Sequence, residues 1–436
     1  MSGQEIVPEK PAGPGIRKHI EFFLIAFSVL VVRRPDGIFH AQYWGEDGHV
    51  WIADAYNLGW AHALFHTWSG YYQTLPRLAA GLALLAPLAL TPLLLNLMAF
   101  AIQALPVNIL LSSRSSAWGS LEYRGVMAGL YLVLPNSAEL SFGITESLWH
   151  LALCAFLLIV AEKPKSIPGW FFDIVILVLC GLTGPFCFFL LPIAFFLARK
   201  NRDRFRWSIV GDLVLFCLIQ AWAMFKPGVS TDPLDHRQAG LHVLGATPAL
   251  FTRILASQIY LGTLIGGNGL GASAAPRDLI FFICVAIAGT ALVVYCLATA
   301  PMPMKLFLVF SAFPFVAALL PSAGHAPAGV GLWSLFAAAG GIRYWFFPTL
   351  AFAWSILWCF QSRKLPLKIA SATLFFLMCF GIARDWWQPV LKDLHFADYA
   401  KQFAAAPPGT TIVIPENPDG WTVQLTKHGQ ANPQQR

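Results

Sequence analysis

The chain is poor in charge. Of 436 residues only 12% are Asp, Glu, Lys or Arg, while 57% are hydrophobic. A soluble domain carries about a quarter charged residues, so this composition excludes an ordinary soluble protein. Strict alternation of polar and apolar residues is also missing, and with it the pattern of a membrane β-barrel. No Cys-x-x-Cys pair occurs among the eight cysteines, and all eight lie inside apolar runs. They read as small buried hydrophobes, not as a disulfide framework or a zinc site. No internal repeat is visible. Phosphate-loop chemistry is absent as well. The glycine-rich stretch "LGTLIGGNGLGASAAP" (261–276) lacks the preceding strand and the Lys-Ser/Thr that such a loop needs. Its glycines point to tight turns or close approach.

What is present is apolar sequence in long runs, such as "LAAGLALLAPLALTPLLLNLMAFAIQALPVNILL" (78–111). Runs of roughly 17–25 apolar residues are long enough to cross a bilayer. The expected fold is an all-α polytopic membrane protein with about 11–12 transmembrane helices. Span candidates are 20–33, 75–90, 92–111, 124–135, 146–161, 170–183, 185–198, 208–225, 278–299, 305–320, 344–361 and 366–383.

The net charge of +7 does not indicate nucleic acid. The basic residues sit in short segments between spans, "EKPK" (162–165), "RKNRDRFR" (199–206) and "RKLPLK" (363–368). That is the positive-inside pattern of cytoplasmic loops. Lys10, Arg17 and Lys18 precede "FFLIAFSVLVV", which is followed by "RRPDG" and not by a small-residue cleavage site. An uncleaved first span with a cytoplasmic N-terminus is expected. The loops 34–74, 226–277 and 321–343 then fall outside, within a transmembrane domain of residues 1–383, and 384–436 forms a small external tail. Parity requires that one candidate between 75 and 135 is not a full crossing, and 124–135 is the shortest. In the tail, a helix over about 392–405 precedes "TTIVIP" and "WTVQL", two β-prone runs around Asn-Pro-Asp-Gly. They predict a hairpin, which needs the outer loops to dock on.

Candidate chemistry lies in the outer segments. "WGEDGHVW" (44–51) puts Glu46 and Asp47 side by side, with His40, His49, Asp54 and several aromatics in the same loop. Acids beside a bilayer are functional candidates. Asp47 is equally placed to cap a helix starting near Gly48, and the two roles are compatible. A helix in this loop, rich in tryptophan, suits the membrane interface. Tyr71 and Tyr72 are placed to stack on a sugar or to sit in an aromatic belt. Arg77 opens an apolar run, where arginine snorkels or grips a phosphate. "LPNSAELSFGITESLWHLAL" (134–153) contributes Glu139, Glu146 and His150, the last two at a spacing that favours a buried pair. "GHAPAGVGLWSLFAAAGGIRYWFFP" (324–348) contributes His325, Arg343 and Tyr344. Arg343 suits a phosphate through its planar fork.

The set "EDG…YYQTLPRL…LPNSAE…RYWFFP…PENPDGW" resembles a bacterial branch of the GT-C superfamily of polytopic glycosyltransferases. The resemblance implies a polyprenyl-phosphate-linked sugar donor and a glycan, lipid or protein acceptor in the cell envelope. It also implies a multi-pass protein of the bacterial inner membrane with its site at the periplasmic face. By the same resemblance, Asp47, or Glu46 beside it, is the general base and Arg343 grips the donor phosphate; of the two acids Asp47 is expected to be the base and Glu46 its orienting or metal-binding neighbour. A divalent cation (Mg or Mn) is compatible with this scheme, with no ligand set defined. The tail is smaller than the soluble domain of the oligosaccharyltransferase-like members, so sugar recognition would lie in the outer loops. A transporter or flippase of a lipid-linked saccharide is the alternative, and it would be expected to show repeats and broken helices at mid-membrane.

Overall fold

The computed structural model describes residues 14–225, 244–272, 278–320, 331–338 and 341–429. It is mostly helical, with two small antiparallel hairpins. Among the described residues, five helices are long and apolar enough to cross a membrane: Leu88–Leu111, Arg204–Phe225, Pro248–Ile265, Leu279–Thr299 and Leu365–Arg384. Shorter apolar helices accompany them, Ser147–Val160, Ile167–Gly181 and Met302–Ala318. In Leu279–Thr299 and Leu365–Arg384 only 17% of the most apolar stretch is buried within the protein. Their remaining apolar surface points outward, where water would be a poor solvent for it and lipid tails a good one.

Among the described residues, eleven helices run between two ends of the bundle: Ile16–Arg33, Thr91–Leu111, Leu121–Leu132, Ser147–Val160, Ile167–Gly181, Phe186–Asn201, Arg204–Phe225, Leu279–Thr299, Met302–Ala318, Phe346–Phe360 and Leu365–Arg384. One end is basic and has short connections. There Glu162 N–H donates to the Arg114 carbonyl (2.9 Å) and Arg206 donates to the Ile159 carbonyl (2.6 Å). Trp118 packs on Phe307, and Tyr295 and Ser362 share a hydrogen bond (3.2 Å) at the same end. The opposite end carries the first loop, residues 136–147 and the tail, which bond one another there.

Two expectations change here. The 75–90 candidate holds a ten-residue helix, Thr74–Ala83, that turns at Leu84. Ten residues rise about 15 Å, half of the roughly 30 Å hydrocarbon layer. Arg77, buried on that helix, already bonds Asp54, so the segment folds back on the first loop. Conversely, Pro248–Ile265 lies in a region expected to be loop. Both of its ends meet the loop-rich end: Leu244 accepts from Trp333 N–H, and Gly266–Asn268 close on Asp385. It has wide π-type turns at Ile254–Leu261. Composition alone did not mark it because Arg253, Ser257 and Gln258 interrupt its apolar run.

The first hairpin pairs β1 (Thr67–Trp68) with β2 (Tyr71–Tyr72). Its turn residues Ser69 and Gly70 both have positive φ (49° and 83°), as a tight two-residue hairpin requires. The second pairs β3 (Thr411–Glu416) with β4 (Trp421–Thr426), as the tail sequence predicts, after the helix Phe396–Ala405. It docks on the first loop. His49 Nδ1–H donates to the Thr422 carbonyl (2.7 Å), Asn57 Nδ2 to the Gln424 carbonyl (2.8 Å), and Thr426 N–H to Asn57 Oδ1 (3.0 Å). Ile414, Val423 and Leu425 bury with Trp51, Ile52, Leu95 and Ile144 in one apolar cluster.

Candidate functional site

The segment 136–147 is the centre of the loop-rich end. It arrives from Leu121–Leu132 and leaves into Ser147–Val160; most of its polar groups are engaged, while Glu146 Oε2 and Ser147 Oγ are buried without a hydrogen-bond partner among the described residues. Asp47, at the start of the π-type helix Asp47–Ile52, points its carboxylate into this segment. Its Oδ2 accepts from Ile144 N–H (3.0 Å), and its Oδ1 from Thr145 N–H (3.0 Å) and the Thr145 hydroxyl (2.6 Å). The Thr145 hydroxyl in turn accepts from the Trp51 indole (2.7 Å). Gly143 makes the approach possible. Its φ is +66°, and a Cβ there would lie 1.8 Å from Asp47 Oδ2. Asp47 is 1% exposed. Burial pushes its carboxyl up to about 7, against the pull of the Thr145 and Ile144 donors.

Glu46 differs from its neighbour. It is half-buried and has no hydrogen-bond partner among the described residues. Its charge acts on Arg343, Glu146, Asp47 and Glu416, so it lies within electrostatic reach of an acid–arginine group that the sequence spreads from Glu139 to Arg343.

That group is built around Arg343. Its backbone N–H donates to Glu139 Oε2 (3.1 Å), and its Nη1 lies 3.1 Å from both Glu139 Oε1 and Glu146 Oε1. Among the described residues only this corner of the guanidinium is engaged, and the Arg343 side chain is 34% exposed. The ring of Tyr344 lies under it, 5.3 Å from Cζ to centroid. Glu146 is buried, and burial raises its carboxyl above the usual range although Arg343 lowers it. Trp44, half-buried, stacks on Phe142 at 4.5 Å and supplies an aromatic wall beside the acids.

The other residues named from sequence fall elsewhere. Arg77 binds Asp54 (3.0 Å) and lies over the Trp51 ring at 5.1 Å, with its side chain 1% exposed. It stands one layer behind Asp47, through Trp51 and Thr145. Tyr71 and Tyr72 are half-buried on β2, where Tyr72 bonds Gln220 (2.9 Å) and Gly184 (3.1 Å). Glu146 and His150 do not pair. His150 meets the Tyr131 hydroxyl (2.7 Å) and the Leu140 carbonyl (3.2 Å), because the helix start sends Glu146 to Arg343 instead. Trp51 and Ala55, which follow Asp47 in the same loop, are buried. His325 lies outside the described residues.

Several partners were not legible from the sequence. Arg34 is buried, donates to the Ser141 carbonyl and lies over the Phe142 ring at 4.7 Å. Arg33 donates to the carbonyls of Leu132 (2.7 Å) and Asp385 (3.1 Å). The Asp385 carboxylate accepts from the N–H groups of Asn136 (2.8 Å), Gly267 (2.7 Å) and Asn268 (3.2 Å). The glycine-rich stretch therefore approaches a carboxylate of the protein itself. The "RRPDG" motif after the first apolar run was the available signal for the two arginines. Glu416, brought by the tail, had none.

A divalent cation does not fit this group. Arg343 fills the position between Glu139 and Glu146, and among the described residues no three His, Cys, Asp or Glu side chains converge as a metal-holding set. Two surface hollows, of about 360 and 550 Å³, lie elsewhere, beside Trp386 and along β3. Comparison with models of known protein families and with curated proteins finds no match.

Proposed function

We propose that the chain is an integral membrane glycosyltransferase of the GT-C type, moving a sugar from a polyprenyl-phosphate donor to a cell-envelope acceptor. The observation that carries this reading is a half-buried Glu46 whose charge is felt at Arg343 and Glu146, at the loop-rich end of an apolar bundle where Arg343 joins Glu139 and Glu146. It sets a half-buried carboxylate beside a cation that still has exposed N–H donors. Inverting transfer needs both. A carboxylate takes the proton of the attacking hydroxyl, and a cation stabilises the negative charge on the departing phosphate.

In this reading Glu46 is the general base and Asp47 its anchor. Both Asp47 oxygens are held by 144–145 and the residue is closed to an acceptor, whereas Glu46 is open. Arg343 offers its exposed edge to the phosphate, and Trp44 and Tyr344 flank the sugar path. The eleven helices cross the bacterial inner membrane, with Thr74–Ala83 and Pro248–Ile265 staying on the periplasmic side. Eleven crossings put the first loop and the tail on the same face, in keeping with their direct packing, and leave the basic end in the cytoplasm.

The test is a transfer assay with the purified protein in lipid nanodiscs, offering polyprenyl-phosphate sugars one at a time with an envelope extract as acceptor. Donor-dependent product formation, lost in Glu46→Gln, supports the reading. A folded protein that neither transfers nor binds any such donor overturns it.

A further inference from the structure

Glu416 is the last residue of β3, more than three hundred and sixty positions after Gly48, yet it is 3% exposed at the heart of the docked hairpin. Both of its carboxylate oxygens are buried without a full hydrogen bond. They lie against the Gly48 and His49 N–H groups at the start of the Asp47–Ile52 helix. Gly48 is the cradle: a Cβ there would meet Glu416 Oε2 at 2.2 Å. The next residue fixes the register, since Gly45 N–H donates to the Asn417 carbonyl (2.6 Å), and the Asn417 amide is itself held by the Lys392 carbonyl (3.0 Å).

A buried carboxyl held by no full hydrogen bond is costly to ionise. The groups that face it are Glu46, Asp47, Tyr43 and His49 from the first loop; Lys392, nearby on the tail, is turned to Asp419 at 3.2 Å. Two of the first-loop groups are carboxyls, and among the described residues no Lys or Arg is paired with Glu416.

We propose that Glu416 is a positioning residue that fastens the C-terminal hairpin over the Glu46–Asp47 turn in its neutral form and releases it on ionising. The hairpin is then a charge-sensitive clasp on the candidate site. Neutral Glu416 sits in the Gly48 cradle without repelling Asp47. Ionised, it places another negative charge against Asp47 and Glu46 in a dry site, where like charges repel strongly. Burial holds the carboxyl well above its usual range, in the same direction. A group that binds its proton more tightly when docked favours docking at low pH and opposes it as pH rises. The clasp concerns the loop that the transferase reading uses, and rests on that reading only for what the loop does once released.

The experiment is hydrogen exchange by mass spectrometry on the full-length protein in nanodiscs from pH 6 to 9, corrected for intrinsic rates. It follows peptides covering 411–427, 44–57 and 140–147. In the wild type, hairpin protection falls with rising pH, by up to about tenfold per pH unit while the docked carboxyl keeps a proton that the released one has lost, and it levels off once the docked carboxyl ionises. Glu416→Gln cannot ionise, so its hairpin protection is flat over this range. Asp47 titrates in the same region, and its effect remains visible in 140–147 in that variant. Glu416→Asp, which keeps an ionisable group on a shorter stem, retains the pH dependence with weaker protection. A wild-type hairpin whose protection does not change with pH, or a Gln variant that titrates like the wild type, overturns the clasp. Because the readout is exchange and not product, a protein that transfers no sugar but shows the expected titration refutes the transferase and leaves the clasp standing.

Discussion

Asp47 and Thr145 are joined twice, through the Thr145 N–H (3.0 Å) and the Thr145 hydroxyl (2.6 Å), both to the same carboxylate oxygen. The contact ties the first loop to the segment that carries Glu139 and Glu146. It fixes where Glu46 stands relative to Arg343, so its loss should be felt in both stability and activity. Thr145→Val removes the hydroxyl and leaves Asp47 and the Trp51 indole each short of a partner. A loss of roughly 1–3 kcal/mol is expected, read as a lowered melting temperature in detergent. Unchanged melting would show that the joint is not structural.

Asparagine at position 47 is not a neutral replacement. Both Asp47 oxygens accept, so one arm of an Asn amide would turn its NH2 toward a backbone N–H of Ile144 or Thr145. Asp47→Asn should therefore lower stability and transfer together, whereas Glu46→Gln should leave melting within about 0.5 kcal/mol of wild type, as a substitution away from any packed contact does. If Glu46 is the base, Glu46→Gln lowers the transfer rate by roughly 10²–10⁴-fold. A Glu46→Gln protein with full activity would return the base role to Asp47.

Arg343 holds two carboxylates and, in the proposed reaction, a phosphate. Arg343→Lys keeps one charge but loses the planar fork, so donor affinity should fall while insertion is kept. Arg343→Ala leaves Glu146 buried without its cation, at a cost of about 3–5 kcal/mol. Calorimetric donor binding separates the two. Normal affinity in the lysine variant would reduce Arg343 to a structural ion pair.

The raised carboxyl of Asp47 has a pH signature. Its folded value, about 7, lies above the ordinary 3.8. Between these values the folded protein keeps a proton that the unfolded chain releases, so stability falls as pH rises through the window and levels off above about 7. The full effect is at most about 4 kcal/mol. Melting temperatures of wild type and Asp47→Asn should converge as pH rises from 4 to 7. Curves that stay parallel over that range would show that Asp47 does not titrate there.

Topology is open to a direct test. A phosphatase fused after residue 429 should be active and a cytoplasmic reporter silent. Fusions at 86 and 268 should report the same face as the tail, since neither Thr74–Ala83 nor Pro248–Ile265 crosses in the eleven-helix arrangement. A cytoplasmic report at 86 alone would restore Thr74–Ala83 as a span.

The membrane class, the apolar helices and the tail hairpin follow from composition and local pattern. Long apolar runs have no other stable solution than helices in lipid, and two β-prone runs around Asn-Pro-Asp-Gly have few other ways to fold. The Glu46–Asp47 pair was conspicuous as charge where charge is scarce. Which of the two is open was not legible, because the two acids are adjacent and alike in charge, and only the path of 143–145 closes Asp47 and leaves Glu46 half-buried and unbonded. The same holds for length. The run after Arg77 reads as a span until the buried Arg77–Asp54 pair folds its first ten residues back on the loop. Glu139, Glu146 and Arg343 each looked like an isolated polar residue in an apolar neighbourhood, and Glu416 looked like the end of an ordinary strand. Their meeting depends on contacts between segments up to 370 positions apart. Local propensity carries no information about such contacts, which are decided by how eleven helices pack and which of their ends come to lie side by side.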